Sequence, residues 1–287
     1  MNANRFARSA DLPRFTRPVI LGALSALLIA ALCVGCGKGG GPVAGKDPVK
    51  KVIKVESNVD ALRAWAANNT RASVLVHIDL SDDMAIFPAS RMKDMENTAG
   101  HLRRRNVKVL EEVGPLVERG GTVSLGYMAG MYKRVIWVIP TIRPVGEDPV
   151  EVYKNFLIGR RRFPPAAVAD FKAEGKFITG TIAGVPLTIT RLADLTLAEG
   201  ENAIIDIDLS YFPAMKLANR SYRAGTKSLL EFLRELGKRN VKAKIVTVNL
   251  SNLNNQVPMD LRFYGDVIRE ALAKPGDLGS PLSAKWQ

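Results

Sequence analysis

Val76-His77-Ile78-Asp79-Leu80-Ser81-Asp82-Asp83-Met84 and Ile205-Asp206-Ile207-Asp208-Leu209-Ser210-Tyr211-Phe212 are the two stretches from which the fold is read. Each is a short, strongly apolar run that carries acidic residues two apart and then breaks into polar residues. Two-residue spacing puts His77 and Asp79 on one face of an extended chain, and Asp206 and Asp208 on one face of another. Runs apolar on both faces belong in the middle of a parallel sheet. Ligand sites in such sheets form where the carboxyl ends of the strands meet. If the two runs are neighbours, about 4.8 Å apart, their aspartates converge. Ionised carboxylates crowded together repel one another and attract a cation. Asp83 lies four residues beyond Asp79 in the loop past the first strand.

Working outward, further β-branched runs alternate with helical stretches, the pattern of an α/β domain on a mainly parallel sheet. Strands are expected at Ser73–Leu80, Arg134–Ile139, Phe177–Ile182, Val185–Thr190, Asn202–Leu209 and Lys242–Leu250. Ala183-Gly184 reads as a turn that makes Phe177–Thr190 a hairpin inserted between parallel units. Lys227–Arg239 carries Leu229, Leu230, Leu233 and Leu236 at helical spacing and predicts an amphipathic helix packed on the sheet. The two acidic runs are followed by similar segments, Arg105-Asn106-Val107-Lys108 and Arg239-Asn240-Val241-Lys242, which suggests a duplicated unit. One domain over 52–287 accounts for this pattern. It is expected to have three layers, with helices on both faces of the sheet.

The composition agrees. Of 287 residues, 47% are hydrophobic and 24% charged, with 24 glycines and 16 prolines, which excludes collagen, coiled-coil and low-complexity classes. Arg5, Arg8, Arg14 and Arg17 precede Val19–Val34, sixteen residues without a charge. A basic segment followed by such a run is the pattern of an export signal, and the run is short for a membrane span of roughly 20 residues. It ends in Leu32-Cys33-Val34-Gly35-Cys36-Gly37, which resembles a bacterial lipoprotein signal with Cys36 as the lipidated residue. Residues 1–35 are then a signal peptide, 36–51 a flexible linker, and the chain an exported protein anchored by lipid at the periplasmic face of the envelope. An uncleaved N-terminal anchor is the other reading. With Cys33 and Cys36 the only cysteines, no disulfide framework or thiolate zinc site is available to the rest.

The net charge is +13, and +10 remains once the four arginines and one aspartate of residues 1–35 are removed. Arg103-Arg104-Arg105 and Arg160-Arg161-Arg162 are the densest basic runs. They suit an acidic envelope partner or anionic lipid, or are solvated helix faces. No aromatic residues interleave with the first run, so nucleic acid is not an expected partner. The chain has no Gly-x-Ser-x-Gly elbow, no phosphate-binding loop and no His-Glu-x-x-His helix, which leaves serine-hydrolase, nucleotide and zincin chemistry without an anchor.

Four stretches together resemble the arginase and deacetylase-like metallohydrolases, and within them a peptide-arginase-like branch. The first acidic run is similar to that family's His-Ile-Asp-Ala-His-x-Asp motif. Gly130-Met131-Tyr132-Lys133-Arg134-Val135-Ile136-Trp137-Val138-Ile139-Pro140 is similar to its Trp-bearing strand, and Ile205–Phe212 to its Asp-Ile-Asp-Leu-Asp-Tyr-Phe motif. Val246-Thr247-Val248-Asn249-Leu250-Ser251, with Pro258 beyond, is similar to its last strand and loop. The resemblance implies an arginase-like α/β fold, metal ligands at Asp79, Asp83, Asp206 and Asp208, and hydrolysis of a C–N bond. Ser81 stands where the family has a histidine and Ser210 where it has a third aspartate, so the cofactor implied is one divalent cation, manganese or magnesium, or none. His77, Ser81 and Ser210 would support the ligands from behind, although a lone histidine in a strand is also a common hydrogen-bonded core residue. His101, beside the arginine run, reads as surface. Two function classes follow: a cation-dependent C–N hydrolase, or a noncatalytic binding or scaffold module that keeps the fold.

Overall fold

A computed structural model describes residues 51–118, 120–140, 148–159, 163–212, 222–239, 241–250 and 262–273. The expected signal, lipidated Cys36 and the linker up to residue 50, the run Arg160–Arg162, Ser251 and Pro258 lie outside the described residues. No helix among the described residues is long and apolar enough to cross a membrane.

The elements run β1 (Val52–Val55), α1 (Asn58–Ala67), β2 (Val74–Ile78), α2 (Ala89–Arg103), α3 (Leu110–Glu118), α4 (Thr122–Met128), β3 (Arg134–Ile139), α5 (Pro149–Gly159), β4 (Lys172–Glu174), β5 (Phe177–Ile182), β6 (Val185–Arg191), β7 (Ala203–Asp208), α6 (Tyr222–Lys238), β8 (Ala243–Asn249) and α7 (Arg262–Ala273). Eight strands form one sheet in the order β1-β8-β7-β2-β3-β6-β5-β4. The first six in that order pair in parallel, and β6-β5-β4 are antiparallel. The hairpin β5–β6 turns at Ala183-Gly184, both with positive φ (51° and 77°), the backbone a tight two-residue turn requires. Sequence periodicity did not mark β1 or β4, which are four and three residues long. Strands that short leave little alternation to read.

The mixed α/β class holds, with helices on both faces. Strand alternation sorts the side chains. Leu75, Val135, Trp137, Ile204 and Ile245 face α1–α5, with Leu62, Trp65, Met95 and Leu157 among the packed helix residues. Val74, Val76, Ile136, Ile205, Ile207 and Val248 face the other way, onto Leu229, Phe232, Leu233 and Leu236 of α6 and Ile268 of α7. Helix α6 starts five residues before the predicted Lys227 and buries Leu229, Leu233 and Leu236 as expected. Leu230 is only half-buried.

From β2 the chain crosses to β3 over the α1 face. From β7 it crosses the other way, to β8, over the α6 face. Strands β2 and β7 are adjacent, so the strand order reverses between them, and the gap beyond their carboxyl ends is the natural crevice of the fold.

Candidate metal centre

Parallel pairing in register stacks the acidic runs side by side. Trp137, His77, Asp206 and Thr247 form one row across β3, β2, β7 and β8. One step nearer the crevice, Asp208 stands opposite Asn249, and Asp79, just past β2, still donates its N–H to Val138 O of β3 at 3.3 Å. All these residues sit on the α1 face, because their spacing from Leu75, Ile204 and Ile245 is even.

The first row is a continuous hydrogen-bonded chain. Trp65 Nε1 of α1 donates to Thr247 Oγ1 at 3.2 Å, and Thr247 Oγ1 donates to Asp206 Oδ1 at 2.6 Å. Asp206 Oδ2 lies 3.2 Å from His77 Nδ1. With Asp206 as the acceptor of this bond, Nδ1 is the nitrogen that donates. The opposite nitrogen, Nε2, faces Ser81 O at 3.1 Å, Asp79 Oδ2 at 3.5 Å and Asp83 Oδ2 at 4.0 Å. His77 is 1% exposed.

The aspartates are fixed from several directions. Asp79 Oδ1 accepts from Leu80 N at 2.6 Å and from the Ser210 hydroxyl of the neighbouring run. Trp137 Nε1 donates to Asp79 O at 3.0 Å and pins the strand end. Asp83 Oδ2 accepts from Asn58 Nδ2 at 2.8 Å, and Asn58 Oδ1 in turn accepts from Asn249 Nδ2. Asp83 has φ 48°, unusual for a residue with a side chain, and its carbonyl accepts from Val123 N at 3.1 Å. Asp208 Oδ1 accepts from Ser210 N at 2.7 Å. The Ser81 hydroxyl accepts from Asp83 N at 3.4 Å.

The four aspartates expected to bind metal are therefore gathered at one crevice, at 1–4% exposure. Their surroundings differ. Asp79 and Asp83 lie with His77 in a group whose ligand atoms are all within 4.8 Å of one another. Asp206 has both oxygens engaged, by His77 and Thr247. Among the described residues no lysine or arginine pairs with any of the four.

Excess negative charge in a buried place shifts the titrations. Burial, then the charge of Asp79, pushes the Asp83 carboxyl up to about 7 against the opposing pull of His77 and Ser81. Burial and the charge of Asp79 also hold Asp208 well above the usual carboxylate range. Burial on its own would lower His77, but its bond to Asp206 and the nearby Asp79 and Asp83 raise it well above 6.5. Without a metal, the site therefore favours holding protons, on His77 and on the carboxyls of Asp83 and Asp208 alike.

The donor set also fits a divalent cation. Ligands bound at about 2.1 Å to one octahedral ion are about 3 Å apart when adjacent and about 4.2 Å when opposed. The 3.5 and 4.0 Å separations from His77 Nε2 fall in that interval. A metal-binding histidine ordinarily donates its other N–H to a carboxylate, as Nδ1 does to Asp206.

Asn58, Trp65, Thr247 and Asn249 also belong to the centre, and the acidic runs alone do not reveal them. The alternation Thr247-Val248-Asn249 carried a usable signal, since both polar residues fall on the face shared with Asp206 and Asp208. Asn58 carried none, as it reads only as a helix start after Ser57, whose hydroxyl accepts from Asp60 N at 3.3 Å.

No family model matches the chain, and no curated protein matches it. Among solved structures the chain is similar to an arginase from Medicago truncatula, with 15% sequence identity and a TM-score of 0.37 over 79% of this chain. The chain spans 60% of the length of that arginase.

Proposed function

We propose that the crevice between β2 and β7 binds one divalent cation, manganese or magnesium, and that the protein is a cation-dependent hydrolase of C–N bonds. The observation that carries this reading is the convergence of His77 Nε2 with Asp79 Oδ2 and Asp83 Oδ2 at ligand-to-ligand spacing, with Asp206 oriented behind the ring. Asp79, Asp83 and His77 are the ligands in this reading, with Asp208 closing the group. Asp206 and Thr247 fix the ring, and Ser210 holds Asp79. His77, Asp79 and Asp83 would hold the cation, which would supply Lewis acidity for activating water and polarising a carbonyl or guanidino group. The C–N bond class in this reading is supported by the motif resemblance alone. The same reading keeps the domain on a lipid anchor at Cys36, at the periplasmic face, supported by the basic leader and the apolar run that precede that cysteine.

The experiment is titration of manganese into the chelator-treated full chain, followed by assay on amide and guanidino compounds. One equivalent bound, with turnover that Asp83→Asn removes, is the expected result. A chain that binds no cation overturns the reading.

A second reading has its own observation. Both ring nitrogens of His77 face oxygen acceptors, Asp206 Oδ2 and Ser81 O, so the imidazolium can itself supply the positive charge in the crevice. The domain is then a noncatalytic envelope module that meets an acidic partner through its basic surface. The same titration separates the two, because only the first takes up metal.

A further inference from the structure

The edge of the sheet opposite the crevice has the opposite electrostatic character. Strand β1 begins after Lys51, β2 after Arg71-Ala72-Ser73 and β3 after Lys133, while α2 returns to this edge at Arg103. Arg71 ties the two together: its guanidinium donates to Thr70 O at 2.8 Å and to Arg103 O at 3.4 Å. Lys244 Nζ donates to Arg71 O, and Lys51 Nζ to Asn68 Oδ1 at 2.8 Å. Each of these cations is held by a neutral oxygen, and among the described residues no carboxylate compensates its charge. Among the described residues, Lys51, Arg71, Lys244, Lys133 and Arg103-Arg104-Arg105 make no ion pair. The acids Glu201 and Glu235 at this end are already paired, with Arg134 at 2.6 Å and with Arg239. Exposed Glu111, Glu112 and Glu199 are outnumbered. Lys51, Asn68, Asn69, Arg71 and Lys244 line a shallow basin of about 500 Å³, large enough for a phosphate-bearing headgroup.

We propose that this amino-terminal edge is a docking surface for an anionic phospholipid bilayer, with the basin between Lys51, Arg71 and Lys244 taking a lipid phosphate. The orientation rests on the lipid-anchor reading above. Cys36 and Lys51 are fifteen residues apart in the sequence, a distance of at most about 50 Å of chain, and Lys51 is itself part of the basin. The anchor would keep this edge within reach of the membrane, and its positive charge, opposite to the acidic crevice, would select it as the face that docks. Basic residues act on an anionic surface within about a Debye length, each strengthening attachment roughly fivefold. Docked this way, the β2–β7 crevice opens away from the bilayer. Lipid is favoured over nucleic acid because no aromatic residue stands among these cations to stack on bases.

The test places the full chain in nanodiscs of phosphatidylcholine alone, or of phosphatidylcholine with phosphatidylglycerol, and follows amide exchange by mass spectrometry. Residues 68–73 and 243–246 should exchange at least about tenfold more slowly in the anionic discs. High salt should remove the difference, as should Lys51→Gln/Arg71→Gln/Lys244→Gln. If that variant unfolds, Arg103→Gln/Arg104→Gln/Arg105→Gln, altered only at exposed positions, should weaken the same protection. Equal exchange in both discs while the chain stays attached to them overturns the proposal, and so does stronger protection by a single-stranded RNA than by anionic discs. A chain that separates from both discs refutes the anchor alone. The surface is then judged on free vesicles: binding to anionic vesicles but not neutral ones sustains it, and binding to neither overturns it.

Discussion

The ends of β2 and β7 are near copies in sequence, Val-His-Ile-Asp-Leu-Ser against Ile-Asp-Ile-Asp-Leu-Ser, and they lie next to each other in register. They do different work. At β7 the chain turns at once into the core: Leu209 is fully buried, and Tyr211 and Phe212 stack with Phe232 and Tyr264 at ring distances of 5.1–5.7 Å. At β2 the chain leaves the sheet, Leu80 is 41% exposed, and the excursion brings Asp83 back at a positive φ. One end is a buried, aromatic-backed wall and the other supplies a reaching carboxylate. The single exchange that matters within the repeat is histidine for aspartate at paired positions, His77 opposite Asp206. Two carboxylates there would repel, whereas a histidine and a carboxylate hold each other and turn Nε2 toward Ser81 O, Asp79 and Asp83.

The largest effect expected from breaking this asymmetry is in His77→Ala. It leaves Asp79, Asp83 and Asp206 buried without a positive partner, and removal of one member of such a group costs about 3–5 kcal/mol. Urea unfolding of the metal-free chain should show it, and a loss below about 1 kcal/mol would mean the ring is incidental.

A pH series comes next. Asp83 keeps its proton to about 7 in the fold but only to about 3.8 when unfolded. A group that holds its proton more tightly in the native state contributes stability that falls as pH rises between those values. His77, raised above 6.5, adds a further loss beyond that pH. The metal-free chain should therefore melt at lower temperature at pH 8 than at pH 5, by roughly 5 °C or more, and manganese should restore it at pH 8. A melting temperature that rises over this interval would contradict the proton-held cluster.

Asp206→Asn tests the wall. The amide keeps the shape but weakens the orientation of His77, and loss of such a partner lowers metal affinity about 10–100-fold. Unchanged affinity would place Asp206 outside the centre. The smallest effect belongs to Thr247→Val, which deletes the bond to Asp206 and should cost about 1–2 kcal/mol in the same urea measurement.

Much of this was legible in the residues. The runs around Asp79 and Asp208 are apolar on both faces, so their central place in a parallel sheet followed from composition, and the turn at Ala183-Gly184 from two small residues between β-branched runs. The convergence of the aspartates followed from period-two spacing once the strands were neighbours. The finer division of labour did not. Whether an oxygen of Asp206 faces the crevice or the histidine depends on the register of β2 against β7. The role of Asn58 depends on a helix 25 residues upstream of Asp83 in the chain. The short β1 and β4 carry too few residues for a period to show.

The most direct test of the central claim is the stoichiometry of manganese bound to the chelator-treated full chain at pH 8, compared with Asp83→Asn. The account predicts one equivalent in the native chain and at least about a hundredfold weaker binding in the variant, the scale set by losing a ligand rather than a supporting residue. No binding in the native chain, or equal binding in the two, would contradict it.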